Sequence, residues 1–319
     1  MTVAVTKKKQ TVDKSSFSYR FKTDMKKNYS LYLLFLPVLI FYILFCYRPM
    51  YGLLMAFQDF DIRMGIGGSE WVGLENFRRF FADPYFKRNI VNTINISIAG
   101  IVIGFPLPII FALLVNELRC KWFVKTVQTI TYLPHFISLV VICGMIRTFV
   151  SADGIVTAVV NLFLPSPAEE SLLNNAKAFL PIFVGSDVWQ QFGWNSIIYL
   201  AALSAVDEQL YEAATIDGAG RWRQTLSVTI PSIMPTIVIM FILKLGSVLN
   251  VGYEKIILLT NAFNAESSEI LSYYIYKKGL ISADYGLATA AGFFNSVINF
   301  VFVVAANAIS KKASDISLW

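Results

Sequence analysis

The sequence predicts an all-α, polytopic membrane protein with six transmembrane helices. Of its 319 residues, 56% are hydrophobic and only 15% are charged, whereas soluble domains carry about 25% charged residues. So few charges cannot cover the surface of a water-soluble protein of this size, but a lipid bilayer accepts apolar side chains on the outside of a protein. The apolar residues also fall into runs of about 20, the length that a spanning helix needs.

Six such runs define the predicted spans. The first begins at Leu31 after a basic segment and is interrupted at Arg48-Pro49 before its apolar character resumes. A cleaved signal peptide is the alternative interpretation of this run, and the bulky residues that follow it, from Tyr47 to Tyr51, argue against a cleavage site. The predicted spans cover residues 31–57, 90–115, 126–150, 179–205, 230–249 and 285–309.

The segments that join the spans differ in character. Residues 58–89 contain a glycine-rich turn, and Phe77, Phe80, Phe81 and Phe86 then follow near helical spacing, which predicts an amphipathic helix at the membrane interface. Residues 151–176 are rich in turn-forming residues and predict an exposed loop. Residues 250–284 are polar and aromatic and make up the third outer segment.

The distribution of Lys and Arg predicts that both termini lie in the cytoplasm. Eight of the 27 basic residues precede residue 28, and cytoplasmic segments of membrane proteins carry an excess of such residues. An even number of spans returns the chain to the side from which it started. The predicted organisation is a basic cytoplasmic tail at 1–30, a transmembrane permease domain at 31–310 and a cytoplasmic tail at 311–319.

Several functions are excluded by composition. His135 is the single histidine, and the three cysteines lie at unrelated spacings, so no metal site or histidine dyad is expected within the chain. We place one acid, Asp187, inside a span, which leaves no pair of carboxylates for a membrane-embedded enzyme. The formal charge of +6 is scattered through loops, and no basic helix face predicts nucleic-acid binding.

The segment between the fourth and fifth spans is patterned for a helix, a turn and a second helix. Asp207 can cap a helix by accepting its first amide protons, and Glu208 suits the positive end of the helix dipole. Ala213 and Ala214 favour helix without adding bulk. Gly218 and Gly220 permit a reversal. Such an element suits docking against a groove of another protein; an ordinary connecting loop is the alternative.

These residues resemble the EAA loop of the permease subunits of binding-protein-dependent ABC importers. Glu212-Ala213-Ala214, then Gly218, then Ile230-Pro231 follow the family pattern, with Ile230 where leucine is usual, and Asp217-Gly218-Ala219 is similar to the form found in sugar importers. We call residues 207–231 the EAA loop. Further segments resemble the polysaccharide branch of the family: Tyr32-Leu33-Leu34-Phe35-Leu36-Pro37, Trp71-Val72-Gly73-Leu74-Glu75-Asn76-Phe77, Tyr132-Leu133-Pro134 and Trp189 through Leu203.

The resemblance implies the type I ABC importer transmembrane fold, a location in the plasma membrane of a prokaryote, and a set of partners. These are a dimer of ATPase subunits, a second homologous permease, an extracytoplasmic substrate-binding protein and a carbohydrate, in a lipid environment. The chain has no Walker A motif, so ATP and Mg²⁺ are expected on the ATPase. The contacts that couple the two subunits are implied to be Glu212, Ala213, Ala214, Asp217, Gly218 and Ala219.

Polar side chains within the spans are candidates for the substrate pathway, since such groups are costly in lipid and amides can bond sugar hydroxyls. Hydrogen bonding between packed helices is the alternative role, and the tryptophans can also anchor the membrane interface. The candidates are Gln190, Gln191, Trp194, Asn195, Lys244, Asn250, Asn295 and Asn299.

Two function classes therefore compete. The first is the permease subunit of an ATP-driven carbohydrate importer, which uses the EAA loop to couple to its ATPase. The second is a stand-alone secondary transporter of a small polar solute, for which inverted repeats and broken helices are typical. The patterned cytoplasmic loop favours the first class, because a stand-alone transporter has no use for a docking element of this kind.

Overall fold

The computed structural model of the chain describes residues 17–163 and 167–314. These residues are almost entirely helical, as predicted, with one small antiparallel sheet. The chain divides into two compact units, Met1–Leu54 and Met55–Trp319. Residues 1–16 of the predicted N-terminal tail, residues 164–166 of the predicted outer loop and residues 315–319 of the C-terminal tail lie outside the described residues.

The first unit carries the start of the first span. Its elements are α1 (Phe17–Lys27), α2 (Tyr29–Phe41), a π-helical segment (Tyr42–Tyr47), α3 (Arg48–Met50) and the first residues of a 3₁₀ segment (Tyr51–Phe57). Arg48-Pro49 interrupts the apolar run, as the sequence shows, but it does not break the helix. Proline has no amide proton and its ring presses on the preceding turn; the wider π segment just before Arg48 accommodates it.

The second unit holds the remaining elements. The sheet pairs Gln58 with Trp71 and Asp59 with Glu70. The elements, in chain order, are β1 (Gln58–Asp59), α4 (Gly65–Gly68), β2 (Glu70–Trp71), α5 (Glu75–Ala82), α6 (Phe86–Gly104), α7 (Pro106–Asn116), α8 (Lys121–Tyr132), α9 (Leu139–Phe149), α10 (Ile155–Asn161), α11 (Ala176–Ser204), α12 (Glu208–Ile216), α13 (Arg221–Gln224), α14 (Ile230–Leu245), α15 (Tyr253–Leu259), α16 (Ala265–Ser268), α17 (Leu271–Tyr276) and α18 (Tyr285–Ser314).

Among the described residues, four continuous helical stretches are long and apolar enough to cross a membrane: Tyr29–Phe57, Phe86–Asn116, Arg221–Leu245 and Tyr285–Lys312. A bent pair of helices, Lys121–Phe136 with Leu139–Phe149, at the position of the third predicted span, adds one more if its two halves are counted together. The remaining predicted span, the fourth, is α11, which has 29 residues but is not among the stretches of sufficient apolar character. Length and apolar character together therefore account for four spans, or five with the bent pair, and the predicted count of six is not confirmed.

The third predicted span is not one straight helix, because its halves meet at 100°. Pro134 lies in a 3₁₀ segment, Leu133–Phe136, and Ile137 is extended. Ser138 then starts α9 by accepting a hydrogen bond from the Val141 amide. A proline followed by a new N-cap ends one helix and begins another, so the bend is encoded locally.

The fifth span begins earlier than predicted. A π-helical segment, Thr225–Thr229, joins α13 to α14, so the short helix that carries Trp222 is continuous with the span. Pro231 sits in the first turn of α14, where a missing amide proton costs little. The span ends at Leu245, and a turn then leads to α15.

Two of the three predicted outer segments, 58–89 and 250–284, pack as part of the bundle. Phe80 of α5 is buried and contacts Phe86, Tyr274 and Phe294, so the predicted interfacial helix covers the protein's own α18 with this face. Residues 250–284 form α15, α16, α17 and a π-helical segment (Lys277–Ile281). Ile256 and Leu259 of α15 are fully buried.

Helix α11 is the central helix of the second unit. It packs against α6, α7, α8 and α14, and its residues Phe179, Phe183 and Val184 join α9 and α15 in the largest buried cluster. At Gly193 the backbone of α11 lies directly against the carbonyl of Thr131 on α8. Every candidate site described below is positioned by α11 or by an element packed against it.

Candidate functional site

The EAA loop begins with the predicted cap. Asp207 has an extended backbone, and its carboxylate accepts a hydrogen bond of 3.0 Å from the Gln209 amide. Glu208 lies in the first turn of α12, where a negative charge favours the helix. Helix α12 therefore starts as the sequence predicts, because a cap is a local interaction.

The end of α12 depends on Gly218. Its φ is +76°, and this left-handed conformation lets the Ala219 amide donate to the Ala214 carbonyl at 2.9 Å, a bonding pattern that closes helix C-termini. A Cβ at position 218 would meet no atom within 4 Å. Glycine is therefore needed here for its backbone conformation, not for space.

Substituting Gly218 with alanine should destabilise the reversal by about 1 kcal/mol, because an L-residue at positive φ is strained. Gly220→Ala is the matched control: the site is equally open and its φ is −70°. We expect Gly218→Ala to lower transport-coupled ATPase activity of the assembled transporter several-fold and Gly220→Ala to leave it within about twofold. Equal activities of the two variants would contradict this role for Gly218.

The α12 helix is fixed to the start of the fifth span. The Tyr211 hydroxyl lies 3.0 Å from the Thr229 hydroxyl oxygen. The Gln224 side-chain amide donates to the Thr215 hydroxyl and to the Ala219 carbonyl, each at 3.0 Å. A displacement of α12 is therefore passed to the π-helical segment and α14 through side-chain hydrogen bonds as well as through the chain itself.

The outward side of the EAA loop is open. Glu212, Ala213 and Asp217 are exposed, whereas Ala214 and Ala219 are partly covered. Two large apolar side chains beside them are almost fully exposed, Ile216 at 87% and Trp222 at 81%. Glu212 pairs with no other residue in the described part of the chain. This surface combines a free carboxylate, small residues and apolar side chains, a combination suited to a protein partner.

A polar cavity of about 530 Å³ lies between α6, α11, α15 and the turn that follows α14. Four predicted pathway residues line it: Gln190 and Gln191 from α11, Lys244 at the end of α14, and Asn250 from the turn. Four others, Trp194, Asn195, Asn295 and Asn299, are not among its lining residues. The structure thus brings half of the predicted set together around one space.

The asparagines of α18 are occupied by packing. Asn295 and Asn299 both donate their side-chain amides to Oδ1 of Asn250, at 2.8 and 3.1 Å. The Asn299 side-chain oxygen accepts a hydrogen bond of 3.1 Å from the Leu249 amide. These bonds hold the turn after α14 against α18, so the two residues support the cavity wall from behind. Hydrogen bonding between packed segments was the alternative role proposed for polar side chains within the spans.

His135 lines the cavity at the bend of the third span, and Trp194 packs against it. The His135 ring stacks on Trp194 with centroids 4.4 Å apart, and its Nδ1 lies 2.9 Å from Oε1 of Gln191. The single histidine is therefore a packing residue with a satisfied polar contact. Asn195, one helical turn after Gln191 on α11, is exposed and does not line the cavity.

An ion pair in the cavity wall, between a buried lysine and a half-exposed aspartate, was not predicted from the sequence. Lys255 of α15 is 4% exposed. Its Nζ lies 3.6 Å from Oδ1 of Asp187, donates to the Phe183 carbonyl at 3.1 Å and sits 4.7 Å from the Phe183 ring centroid. Lys255 belongs to residues 250–284, which the sequence places on the outer side of the membrane. The available signal was Asp187 itself, because a lone acid in a span requires a partner.

A bundle of long apolar helices with a polar cavity and an exposed helical loop between two spans defines a membrane permease component. Residues 104–315 match the family described as binding-protein-dependent transport system inner membrane component, and the chain belongs to this family. It is a transmembrane permease subunit of an ABC importer and not an enzyme, which confirms the resemblance found in the EAA loop.

Known relatives agree over nearly the whole chain. The polygalacturonan/rhamnogalacturonan transport system permease protein YteP of Bacillus subtilis (strain 168) is 43% identical over 282 residues, 88% of each chain. A crystal structure of a bacterial ABC transporter involved in the import of the acidic polysaccharide alginate contains a chain 39% identical, with a TM-score of 0.84 over 92% of this chain and 99% of that chain.

A second crystal structure shows a bacterial alginate ABC transporter in complex with an alginate pentasaccharide-bound periplasmic protein. Its matching chain is 38% identical, with a TM-score of 0.84 over 94% of this chain and all of that chain. The likeness at this identity confirms the predicted type I importer fold. The roles of individual residues in the EAA loop and the cavity stay predictions.

Proposed function

We propose that this chain forms half of a carbohydrate translocation pathway and receives its driving motion from an ATPase dimer through the EAA loop. The observation that carries the proposal is the construction of α12. Its outward surface is open, and its inward surface is hydrogen-bonded to the residues that begin the fifth span. A partner that moves α12 therefore moves a transmembrane helix.

The partners follow from this arrangement and from the family. One chain supplies one EAA loop, so an ATPase dimer calls for a second, homologous permease. ATP and Mg²⁺ are bound by the ATPase, and a substrate-binding protein delivers the cargo at the opposite face. With the EAA loop in the cytoplasm, both termini lie there too.

The cargo proposed here is an oligosaccharide. The cavity wall offers amides from Gln190, Gln191 and Asn250, which can donate to and accept from hydroxyl groups. Relatives whose described cargo is a polygalacturonan, a rhamnogalacturonan or alginate support a carbohydrate for this chain. Alternating access would expose the cavity first to the binding protein and then to the cytoplasm.

The test is coexpression with the ATPase and partner permease, followed by measurement of ATP-dependent oligosaccharide uptake in proteoliposomes. We expect Glu212→Ala combined with Gly218→Pro to release the ATPase and to lower uptake at least about tenfold, because the partner loses a charged contact and the loop its reversal. The partner permease should stay bound.

The matched control is Glu169→Ala, which removes an exposed carboxylate outside the EAA loop and should leave uptake unchanged. Loss of the partner permease together with the ATPase would indicate misfolding instead of uncoupling. Uptake by the native chain without an ATPase, driven by a proton gradient, would overturn the proposal in favour of a secondary transporter.

A further inference from the structure

A second polar pocket, of about 320 Å³, lies at the N-terminal end of α6. Helices α6 and α7 run on from there for 31 residues to Asn116, a length of about 45 Å. Glu117, just beyond them, pairs with Arg221 of the EAA loop at 3.6 Å. The pocket is therefore at the opposite end of the second span from the EAA loop, which the proposed function makes the outer face.

The lining of this pocket has more positive than negative charge. Arg88, Lys277 and Lys278 line it together with one carboxylate, that of Glu269. Glu269 is shared, since one oxygen pairs with Arg88 and the other lies 2.8 Å from Nζ of Lys277. Asp83, behind the lining, lies 3.6 Å from Nζ of Lys278. Two carboxylates thus face three cations, and one positive charge remains uncompensated.

Two buried polar atoms at this pocket have no hydrogen-bond partner among the described residues. Asn89 is 2% exposed and lies in the lining, yet its Oδ1 accepts no hydrogen bond from the described residues. The Nε of Arg88, which is also buried, donates none. Buried polar groups are almost always paired in folded proteins. One missing donor and one missing acceptor at the same pocket indicate a polar ligand.

Aromatic rings hold the cations in position. Arg88 lies 4.6 Å from the Tyr85 ring centroid, and the Lys277 and Lys278 ammonium groups lie 5.3 and 5.4 Å from those of Tyr273 and Tyr274. Lys277 and Lys278 are consecutive, and the π-helical segment that begins at Lys277 places both at the pocket. Such π-helical turns are frequent at functional sites. The basic groups are therefore preorganised.

We propose that this pocket binds one carboxylate-bearing sugar unit, a uronate, of an oligosaccharide. The carboxylate compensates the excess positive charge, and the ring hydroxyls supply the donor and acceptor that Asn89 and Arg88 lack. The volume lies at the small end of ligand pockets, which start at about 300 Å³, and suits a single sugar ring. Only the assignment of the pocket to the outer face rests on the proposed function.

The test is calorimetric binding to the complete transporter in nanodiscs, with glucuronate and glucose as probes that differ in the carboxylate alone. We expect glucuronate to bind at least about tenfold more tightly than glucose, and Lys277→Gln to weaken glucuronate binding by about tenfold. Lys87→Gln is the matched control, since Lys87 is exposed beside Arg88 but lies outside the pocket lining. Lys244→Gln tests whether glucuronate occupies the central cavity instead. Lys87→Gln and Lys244→Gln should each bind glucuronate as tightly as the native chain does.

Equal affinity for glucose, no glucuronate binding, or unchanged binding in Lys277→Gln would overturn the proposal. Loss of binding in Lys244→Gln would overturn it too, because the ligand would then occupy the central cavity. If inorganic phosphate competes as well as glucuronate, the pocket is a general anion site and the sugar assignment fails. Uptake is measured on the same purified transporter after reconstitution into proteoliposomes: binding at the pocket without ATP-driven uptake would refute the proposed function and leave the pocket assignment standing.

Discussion

Substituting Asp187 with asparagine is expected to lower the free energy of unfolding by about 2 kcal/mol. The change leaves the Lys255 ammonium, 4% exposed, with the Phe183 carbonyl and ring but without an opposite charge. Breaking a fully buried ion pair costs about 3–5 kcal/mol, and we reduce this figure because the Asp187 side chain is half exposed, at 51%. The thermal midpoint of the assembled transporter should fall by about 4 °C.

The order of the variants tests the physical reason. Lys255→Met should cost less than Asp187→Asn, because the remaining carboxylate reaches the cavity while methionine fills the apolar site. The double variant should be more stable than Asp187→Asn alone, since no buried charge is left unpaired. Lys244→Met, an exposed lysine of the same cavity, is the control and should change the midpoint by less than about 1 °C. A double variant as unstable as Asp187→Asn would show that the pair does not act as a charge pair.

Gly193→Ala is expected to have a still larger effect. A Cβ at this position would fall on the carbonyl of Thr131, closer than real atoms approach. The obstacle is backbone, which cannot rotate away as a side chain can, so α11 and α8 must separate. Overpacking costs about 1–3 kcal/mol, and we expect the upper end of this range together with a much lower yield of assembled transporter.

Gly185→Ala on the same helix provides the comparison, because a Cβ there would meet no atom within 4 Å. Alanine is also the better helix former, so this variant should be as stable as the native chain or slightly more so. The readout is the thermal midpoint and the yield of the assembled complex for both variants. Similar midpoints would mean that α11 and α8 are not packed as closely as described.

Local patterns in the sequence predicted most of what depends on neighbouring residues. Asp207 caps α12 and Gly218 closes it, because a cap and a positive φ involve only a few consecutive residues. Apolar runs placed the spans within a few residues, because a minimum length of apolar chain is a physical requirement of the bilayer. The fifth span was the exception at its start, since a π-helical segment that sequence periodicity does not mark extends it to Arg221.

Tertiary structure alone decided which polar groups meet. The sequence marked Asn250, Asn295 and Asn299 as polar residues of the spans, but it did not predict that Asn250 accepts hydrogen bonds from the other two. Lys255 and Asp187 are 68 positions apart, and their pairing depends on how α15 folds back onto α11. The fold class and the EAA loop were determined by the sequence itself because they arise from local propensity and apolar length. The cavity, the buried ion pair and the pocket at the other end of the second span arise from packing between distant segments, which one sequence does not specify by pattern.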